Sequence, residues 1–258
     1  MGSNKLRIDR IGEIRENRYG SKMKLIDYNK GSDVMVEFLD KPYRVYTTYQ
    51  HFKDGCVVSI YDRTVCGVGY IGDIMPNNYN KEYSYKIWHD ILHRCYDPKK
   101  KEKLPTYIDC SVCEEWHSYS NFKKWFDKNY YELPTDFNER TELDKDILIK
   151  GNKIYSPSTC IFVPRKINTL FTKRKADRGN TPIGVHYRYG RYETVLSATI
   201  LGKTTTTVVG IYKTAEEAFL AYKDFKENYI KQVADYYKQY IPQKLYNALY
   251  NYQVEITD

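Results

Sequence analysis

The sequence predicts an α+β protein built from three modules. Residues 1–72 form a small all-β module, residues 83–172 form a ββα unit with flanking helices, and residues 181–258 form a three-stranded antiparallel sheet packed on a helix. Three observations support this division. Apolar residues alternate with polar ones near the N-terminus, they recur at helical spacing from residue 83 onwards, and a helix-capping sequence follows three strand-like segments near the C-terminus.

The N-terminal module is predicted from short segments rich in β-branched and aromatic residues. In one of them, Val34, Val36 and Phe38 occupy every second position, which is the pattern of a half-buried strand. Turn-forming residues at 29–33 and 40–42 separate this segment from its neighbours. The pattern predicts a small β-barrel or a meander.

The central segment changes to helical spacing after a glycine-rich stretch, 66–82, that predicts a linker. A first helix is expected to end at Asp97 and Pro98. The residues on its apolar face are Tyr85, Trp88, Ile91, Leu92 and Cys95. A basic loop at 98–103 is expected to lead to a second amphipathic helix. The apolar residues of that helix, including two tryptophans interpreted as core anchors, are Trp116, Phe122, Trp125 and Phe126.

A ββα unit is predicted after these helices, with a strand before Asp144, a turn at 150–152, a strand over 160–164 and a helix from about Arg165. Carboxylate and amide oxygens of this unit are candidate ligands for one hard divalent cation such as magnesium. These candidates are Asp144, Asp146 and Asn168. The alternative is that the two carboxylates only pair with Lys145 or Arg140.

Six segments of this region resemble phage-encoded homing endonucleases of the HNH type. They are WHDILHRCYD, CEEW, FKKW, LDKD, GNKIYSPSTCIFVP and the pair Ile167 and Asn168. The resemblance implies a metal-dependent DNA endonuclease in the cytoplasm of a bacterial host cell. It places the acidic metal ligand on Asp144 and the final His or Asn of the motif on Asn168. The general-base His falls on Lys145 and the middle Asn on Thr159, so two signature positions are changed.

The change at position 145 bears directly on catalysis. A neutral imidazole accepts a proton from water near pH 7, whereas a lysine is normally protonated. Lys145 therefore has a strongly perturbed pKa, another base replaces it, or catalysis has been lost. The substitute bases in the module are His89, His93 and His117, each of which also suits an ordinary helix or surface position. Lys145 itself is suited to stabilising a pentacovalent phosphate. Asp146 is suited to act as a spare metal ligand or as the carboxylate that orients another group.

Four cysteines of the central module are candidates for a structural zinc site: Cys95, Cys110, Cys113 and Cys160. The C-x-x-C spacing of Cys110 and Cys113 is typical of a zinc knuckle, and the other two would complete a tetrahedral set. The second pair lacks that spacing. Free thiols packed between helix and strand are the alternative.

The C-terminal segment resembles the DNA-binding domain of plant ethylene-response factors, the APETALA type. The resemblance rests on GV at 184–185, GRY at 190–192, VGIY at 209–212, TAEEA at 214–218 and AY at 221–222. It implies a three-stranded sheet that lies in the DNA major groove and is supported by a helix. The candidate contacts on the outward face are Arg188, Arg191, Tyr187, Tyr189, Lys203 and Thr205. A solvated sheet face is the alternative.

The basic segment 164–180 links the two resemblances and is expected either to follow a phosphate backbone or to be a solvated linker. Its candidate phosphate contacts are Arg165, Lys166, Lys173, Arg174 and Lys175.

Composition supports a polyanionic partner. The 258 residues carry 41 Lys and Arg against 33 Asp and Glu, a net charge of +8, and include 28 Tyr. No apolar stretch suits a membrane span or a signal peptide, so we expect an intracellular protein. The leading hypothesis is a DNA endonuclease that uses a divalent metal. The alternatives are a non-catalytic DNA-binding regulator or phage accessory factor on a degenerate HNH scaffold, and a factor that binds a host protein.

Overall fold

A computed structural model of the chain describes residues 10–171, 181–200 and 203–256, with the backbone alone for 196–200 and 203–207. Helices and small sheets are mixed along these ranges, so the predicted α+β class is confirmed. The chain divides into two compact units. Unit 1 comprises 1–128 and 153–157, and unit 2 comprises 129–152 and 158–258. This division falls inside the predicted central module and therefore differs from the three modules expected from the sequence.

Unit 1 begins with a four-stranded antiparallel sheet in the order β1-β2-β3-β4. Its strands are β1 (Ile14–Glu16), β2 (Lys22–Lys30), β3 (Asp33–Phe38) and β4 (Arg44–Thr47). Each strand pairs with the next along the chain, so the sheet is an open meander and the barrel alternative is wrong. The alternating residues Val34, Val36 and Phe38 are buried, together with Phe52 of the short helix α1 (Tyr49–Lys53).

The helical part of unit 1 contains α2 (Tyr83–Tyr96), α3 (Pro98–Lys103), α4 (Tyr119–Asn129) and a parallel pair of short strands, β5 (Ser111–Val112) and β7 (Ile154–Tyr155). The predicted apolar face of α2 is confirmed, because Trp88, Ile91, Leu92 and Cys95 are buried.

Three details of this part differ from the sequence prediction. The basic segment 98–103 is a helix rather than a loop, because the Asp97 side chain caps its first turn and accepts a hydrogen bond from Lys99 N at 2.9 Å. Trp116 lies in a short 3₁₀ turn before α4 rather than within the helix. The stretch 66–82 is packed: Ile71 is buried, and the Tyr70 amide donates to the backbone oxygen of His117.

Unit 2 contains the predicted strand–strand–helix arrangement. Strands β6 (Thr141–Asp144) and β8 (Ile161–Pro164) pair antiparallel and are followed directly by α5 (Arg165–Thr169). Ile167 of α5 is fully buried in a core shared with two helices near the C-terminus, α6 (Ala215–Tyr237) and α7 (Gln243–Tyr250). This shared core explains why the ββα element and the C-terminal segment form one compact unit.

The three-stranded sheet of unit 2 has the order β11-β10-β9 and consists of β9 (Val185–Arg188), β10 (Arg191–Ile200) and β11 (Lys203–Tyr212). Helix α6 starts at the predicted capping box, in which Thr214 and Glu217 satisfy each other's backbone amides. Val185 of the sheet packs against Ala218 and Phe219 of α6, so the predicted sheet on a helix is confirmed. Across the described ranges, no helix combines the length and the apolar character of a membrane span.

Candidate functional site

The ββα element of unit 2 places two carboxylates on one face of a strand. Side chains alternate between the two faces of β6, so Glu142 and Asp144 share a face. From α5, Asn168 Nδ2 donates a hydrogen bond to Glu142 Oε2 at 3.1 Å. Two carboxylates and an amide are the ligand types that a hard divalent cation prefers. The sequence motif selects Asp144 and Asn168 but not Glu142. Glu142 could have been found from its position two residues before Asp144 in a predicted strand, because such residues share a face.

The Asp144 carboxylate holds the turn that follows β6. Its Oδ1 accepts hydrogen bonds from the backbone amides of Asp146 at 2.8 Å and Ile147 at 2.7 Å. Burial raises the pKa of the Asp144 carboxyl above its ordinary value, and the nearby Asp146 carboxylate raises that pKa further. In the described part of the chain, no hydrogen bond joins Asp144 to Asn168. The structure therefore brings Asn168 to Glu142, beside Asp144, rather than to Asp144 itself.

Lys145 is buried within the same turn. Its Nζ donates to Asp146 Oδ1 at 2.9 Å and to the backbone oxygen of Asn152 at 3.1 Å, while Asn152 Nδ2 donates back to the Lys145 carbonyl at 2.8 Å. These acceptors suit a protonated ammonium group, which cannot accept a proton from water. The geometry thus gives Lys145 a role in closing the turn. Asp146, which is exposed, also belongs to this closure.

Cationic side chains surround Glu142 and the start of α5. Glu142 Oε1 lies 3.3 Å from Arg140 Nη2 and 3.8 Å from Arg165 Nε. Lys166 donates its backbone amide to Glu139 Oε2 at 2.9 Å, and its Nζ lies 3.7 Å from Glu139 Oε1. Arg165 and Lys166, both predicted to contact phosphate, are exposed but have acidic neighbours. The other predicted contacts of this segment, Lys173, Arg174 and Lys175, lie outside the described residues, and Thr159 lies in the loop before β8.

The hairpin between β9 and β10 presents a second group of predicted residues. Tyr189 and Gly190 form its two-residue turn with φ angles of 51° and 77°, both in the left-handed region that a type I′ turn requires. Tyr189 is fully exposed at the tip. Arg188 and Arg191 are directly opposite each other across the two strands, and both are exposed. Neither guanidinium has an ion-pair partner among the residues that the structure describes.

The two faces of this sheet differ in their partners. Tyr187 and Tyr192 stack with ring centroids 4.9 Å apart on the face that packs against α6, so Tyr187 does not share the face of Arg188 and Arg191. On the outer face, Val208 and Ile211 are 56% and 57% exposed. Sequence reasoning overlooks both, although the run VVGIY places apolar residues on each side of a strand. Lys203 and Thr205 belong to the first half of β11, residues 203–207, for which the structure describes the backbone alone.

The predicted zinc ligands are distributed over both units. Cys95, Cys110 and Cys113 belong to unit 1 and Cys160 belongs to unit 2, and all four are free thiols. Cys113 is half-buried and the other three are buried. Counting only described residues, no three or more His, Cys, Asp or Glu side chains are grouped so that they could hold a metal ion. The candidate bases His89, His93 and His117 all lie in unit 1.

Comparison with protein-family models, with curated proteins and with solved structures finds no match to this chain. The function of this chain is therefore inferred from the motifs in its sequence and from the geometry of the ββα element and of the C-terminal sheet.

Proposed function

We propose that this chain binds double-stranded DNA through the outer face of the sheet formed by β9, β10 and β11. The observation that carries the proposal is the cross-strand pair of Arg188 and Arg191. Like charges directly opposite each other destabilise a sheet, and no described acidic side chain forms an ion pair with either guanidinium, although Glu193 lies on the same face two residues after Arg191. A polyanion on this face would supply the missing negative charge.

Duplex DNA suits the remaining groups on this face. Each guanidinium can donate to two acceptors at once, either on a phosphate or on the edge of a guanine. Val208 and Ile211 offer aliphatic groups that can contact a thymine methyl, while Tyr189 at the hairpin tip is placed to reach sugar or phosphate. The net charge of +8 attracts DNA over a longer range than these direct contacts do.

Fluorescence anisotropy with mixed-sequence duplex DNA tests this proposal. The double variant Arg188→Gln/Arg191→Gln is expected to weaken binding at least tenfold and to make log K less dependent on log salt concentration, because phosphate contacts release counterions. The matched control removes two exposed positive charges from unit 1, Lys53→Gln/Lys128→Gln, and should leave affinity within about twofold. Equal affinities for all three proteins, or binding that salt does not weaken, would reject the proposed interface. Binding only to a host protein would favour that alternative.

A second candidate function is hydrolysis of DNA phosphodiester bonds with a divalent metal at the ββα element. It is supported by Glu142 and Asp144 on one face of β6 and by the hydrogen bond from Asn168 to Glu142, which together offer two carboxylates and an amide to one cation such as magnesium. The metal would polarise the scissile phosphate and stabilise the leaving oxygen. Because the Lys145 ammonium is held by the turn, the proton of the attacking water has to pass to another group.

Cleavage of supercoiled plasmid with magnesium or manganese tests this second function. Wild type is expected to nick or cut, whereas Asp144→Ala and Asn168→Ala should bind DNA with unchanged affinity and fail to cut. The exposed Asp136→Ala serves as the control and should cut normally. If wild type binds DNA but does not cut with either metal, the chain is a non-catalytic DNA-binding protein on an HNH-like scaffold.

A further inference from the structure

Two histidines of α2 direct the same ring nitrogen towards each other. His89 and His93 are four residues apart and therefore lie on one face of the helix. Their Nε2 atoms are 3.1 Å apart, and both side chains are half-buried rather than enclosed. An i, i+4 histidine pair on a helix is an arrangement that can provide two ligands to one metal ion.

Asp97, at the end of the helix, orients the pair. Its Oδ2 lies 3.1 Å from His93 Nδ1. A carboxylate accepts but cannot donate when ionised, so this contact assigns the proton of neutral His93 to Nδ1, and His93 Nε2 then accepts a hydrogen bond from His89 Nε2 at 3.1 Å. A metal ion between the two rings would take the place of that shared proton, with His89 carrying its own proton on Nδ1. Carboxylate–histidine pairs of this kind fix the tautomer of metal-binding histidines and increase their basicity.

We propose that His89 and His93 bind one divalent transition-metal ion, of which zinc is the probe, through their two Nε2 atoms. Two nitrogens at 2.0–2.1 Å from zinc are about 3.3 Å apart at a tetrahedral angle and about 2.9 Å apart at a right angle. The 3.1 Å separation lies between these values, so the rings need little rearrangement. The described residues contribute no third side chain of His, Cys, Asp or Glu. We therefore expect modest affinity and coordination positions that remain open to water.

The charges around the pair are compatible with this site. Burial lowers the pKa of His89, and His93 lowers it further, so the neutral imidazole that a metal requires is favoured. Lys100 also lowers this pKa, whereas Asp90 raises it. Asp90 in turn pairs with Arg94 at 2.5 Å and approaches Lys100 at 3.6 Å, which offsets their positive charge.

Zinc titration of the reduced full-length chain by calorimetry tests the site. Wild type is expected to bind one ion at this position, and His89→Gln and His93→Gln should each weaken that binding at least tenfold. Asp97→Asn should weaken it by about 10–100-fold, because it removes the orienting carboxylate. His117→Gln is the matched control, a half-buried histidine of the same unit, and should have no effect. Cys110→Ser/Cys113→Ser separates zinc on the thiols from zinc on the histidines.

A second measurement does not depend on any variant. Long-range ¹H–¹⁵N spectra resolve the imidazole nitrogens of the five histidines in the chain, and zinc should shift the Nε2 signals of His89 and His93 while leaving His117 unchanged. The proposal is overturned if these signals do not move at saturating zinc. It is also overturned if binding survives both histidine substitutions, or if only the cysteine variant abolishes it. DNA binding and cleavage are not part of these readouts, so the test is independent of the proposed function.

Discussion

The amide of Asn168 donates a hydrogen bond from Nδ2 to Glu142 Oε2 at 3.1 Å, which joins helix α5 to strand β6. This donation leaves Asn168 Oδ1 as the atom that can ligate a cation, with the oxygen and nitrogen assigned from the hydrogen-bond network. The bond thus connects the residue that the HNH resemblance selects to a carboxylate that it does not select.

A double-mutant cycle on Glu142→Ala and Asn168→Ala measures this connection. We expect a coupling of about 1 kcal/mol in the free energy of urea unfolding, because the bond has a charged acceptor and both partners are only half-buried. The pair of half-buried Lys123 and exposed Asp127, four residues apart on α4, provides a control cycle with an expected coupling of roughly 0.3–0.5 kcal/mol. Coupling near zero for Glu142 and Asn168 would mean that they do not interact in solution.

The raised pKa of Asp144 predicts how this residue affects stability. A carboxyl whose pKa is higher in the folded state stabilises the protein fully only below its unfolded pKa, and that contribution is lost as pH rises through the folded pKa. Above its folded pKa the ionised Asp144 carboxylate therefore costs stability. Asp144→Asn keeps an oxygen for the Asp146 and Ile147 amides but removes the charge. We expect a higher melting temperature at pH 7 and a flatter stability profile in the acidic range.

Magnesium adds a second comparison to the same experiment. A cation at this site would favour the ionised carboxylate, so magnesium should raise the melting temperature of wild type more than that of Asp144→Asn. Asp136→Asn, an exposed carboxylate in unit 2, is the control and should match wild type in both respects. A lower melting temperature for Asp144→Asn at pH 7 would contradict the pKa argument.

Local patterns predict the elements of this chain better than they predict its packing. The periodicity of α2 and the capping sequence before α6 both depend on residues close in sequence, and both are found where expected. The core that joins Ile167 to α6 and α7 depends on residues more than 60 positions apart, which no local pattern encodes. For the same reason the sequence locates Asn168 but not its partner Glu142.

The buried carboxylate of Asp62 is expected to be essential for the stability of unit 1. Its side chain is fully buried and accepts hydrogen bonds from Lys41 Nζ at 2.7 Å, Asn17 Nδ2 at 2.7 Å and the Ser59 amide at 2.7 Å. Asp62→Ala should lower the free energy of unfolding by about 3–5 kcal/mol, because it leaves the Lys41 ammonium and other donors without their acceptor. Asp40→Ala, the exposed neighbour 4.0 Å from Lys41, should cost less than about 1 kcal/mol.

The pH dependence of unit 1 follows from the same carboxylate. Burial by itself raises the pKa of Asp62, but hydrogen bonds from Lys41, Ser21, Ser59 and Asn17 outweigh it, and the pKa lies below its ordinary value. A carboxyl with a lowered folded pKa contributes stability above its unfolded pKa, and this contribution is lost as pH falls through the folded pKa. Wild type should lose stability over this acidic range, and Asp62→Ala should lose less. Parallel profiles for the two proteins would exclude Asp62 as the cause.

Alanine substitution of two glycines beside the strands of the C-terminal sheet distinguishes the cost of backbone strain from the cost of steric overlap. Gly184 and Gly190 have nearly equal positive φ angles, 73° and 77°. A Cβ at Gly184 would lie 2.0 Å from Tyr222 Cδ2, whereas nothing lies within 4 Å of a Cβ at Gly190. Gly190→Ala should therefore cost only the left-handed backbone term, about 1–2 kcal/mol. Gly184→Ala should cost roughly 1–3 kcal/mol more, because the Tyr222 ring has to move out of the core between the sheet and α6.

Urea unfolding of both alanine variants measures this difference in stability. DNA binding by the same variants shows whether the proposed interface depends on the packing of the sheet against α6. Gly190→Ala keeps the hairpin and should bind DNA as wild type does, while Gly184→Ala should bind more weakly, since displacing Tyr222 disturbs the helix that supports the sheet. Equal losses of stability would show that the ring moves aside at no cost. Normal DNA binding by a Gly184→Ala protein that has clearly lost stability would mean that the bound surface does not require the sheet to stay packed on α6.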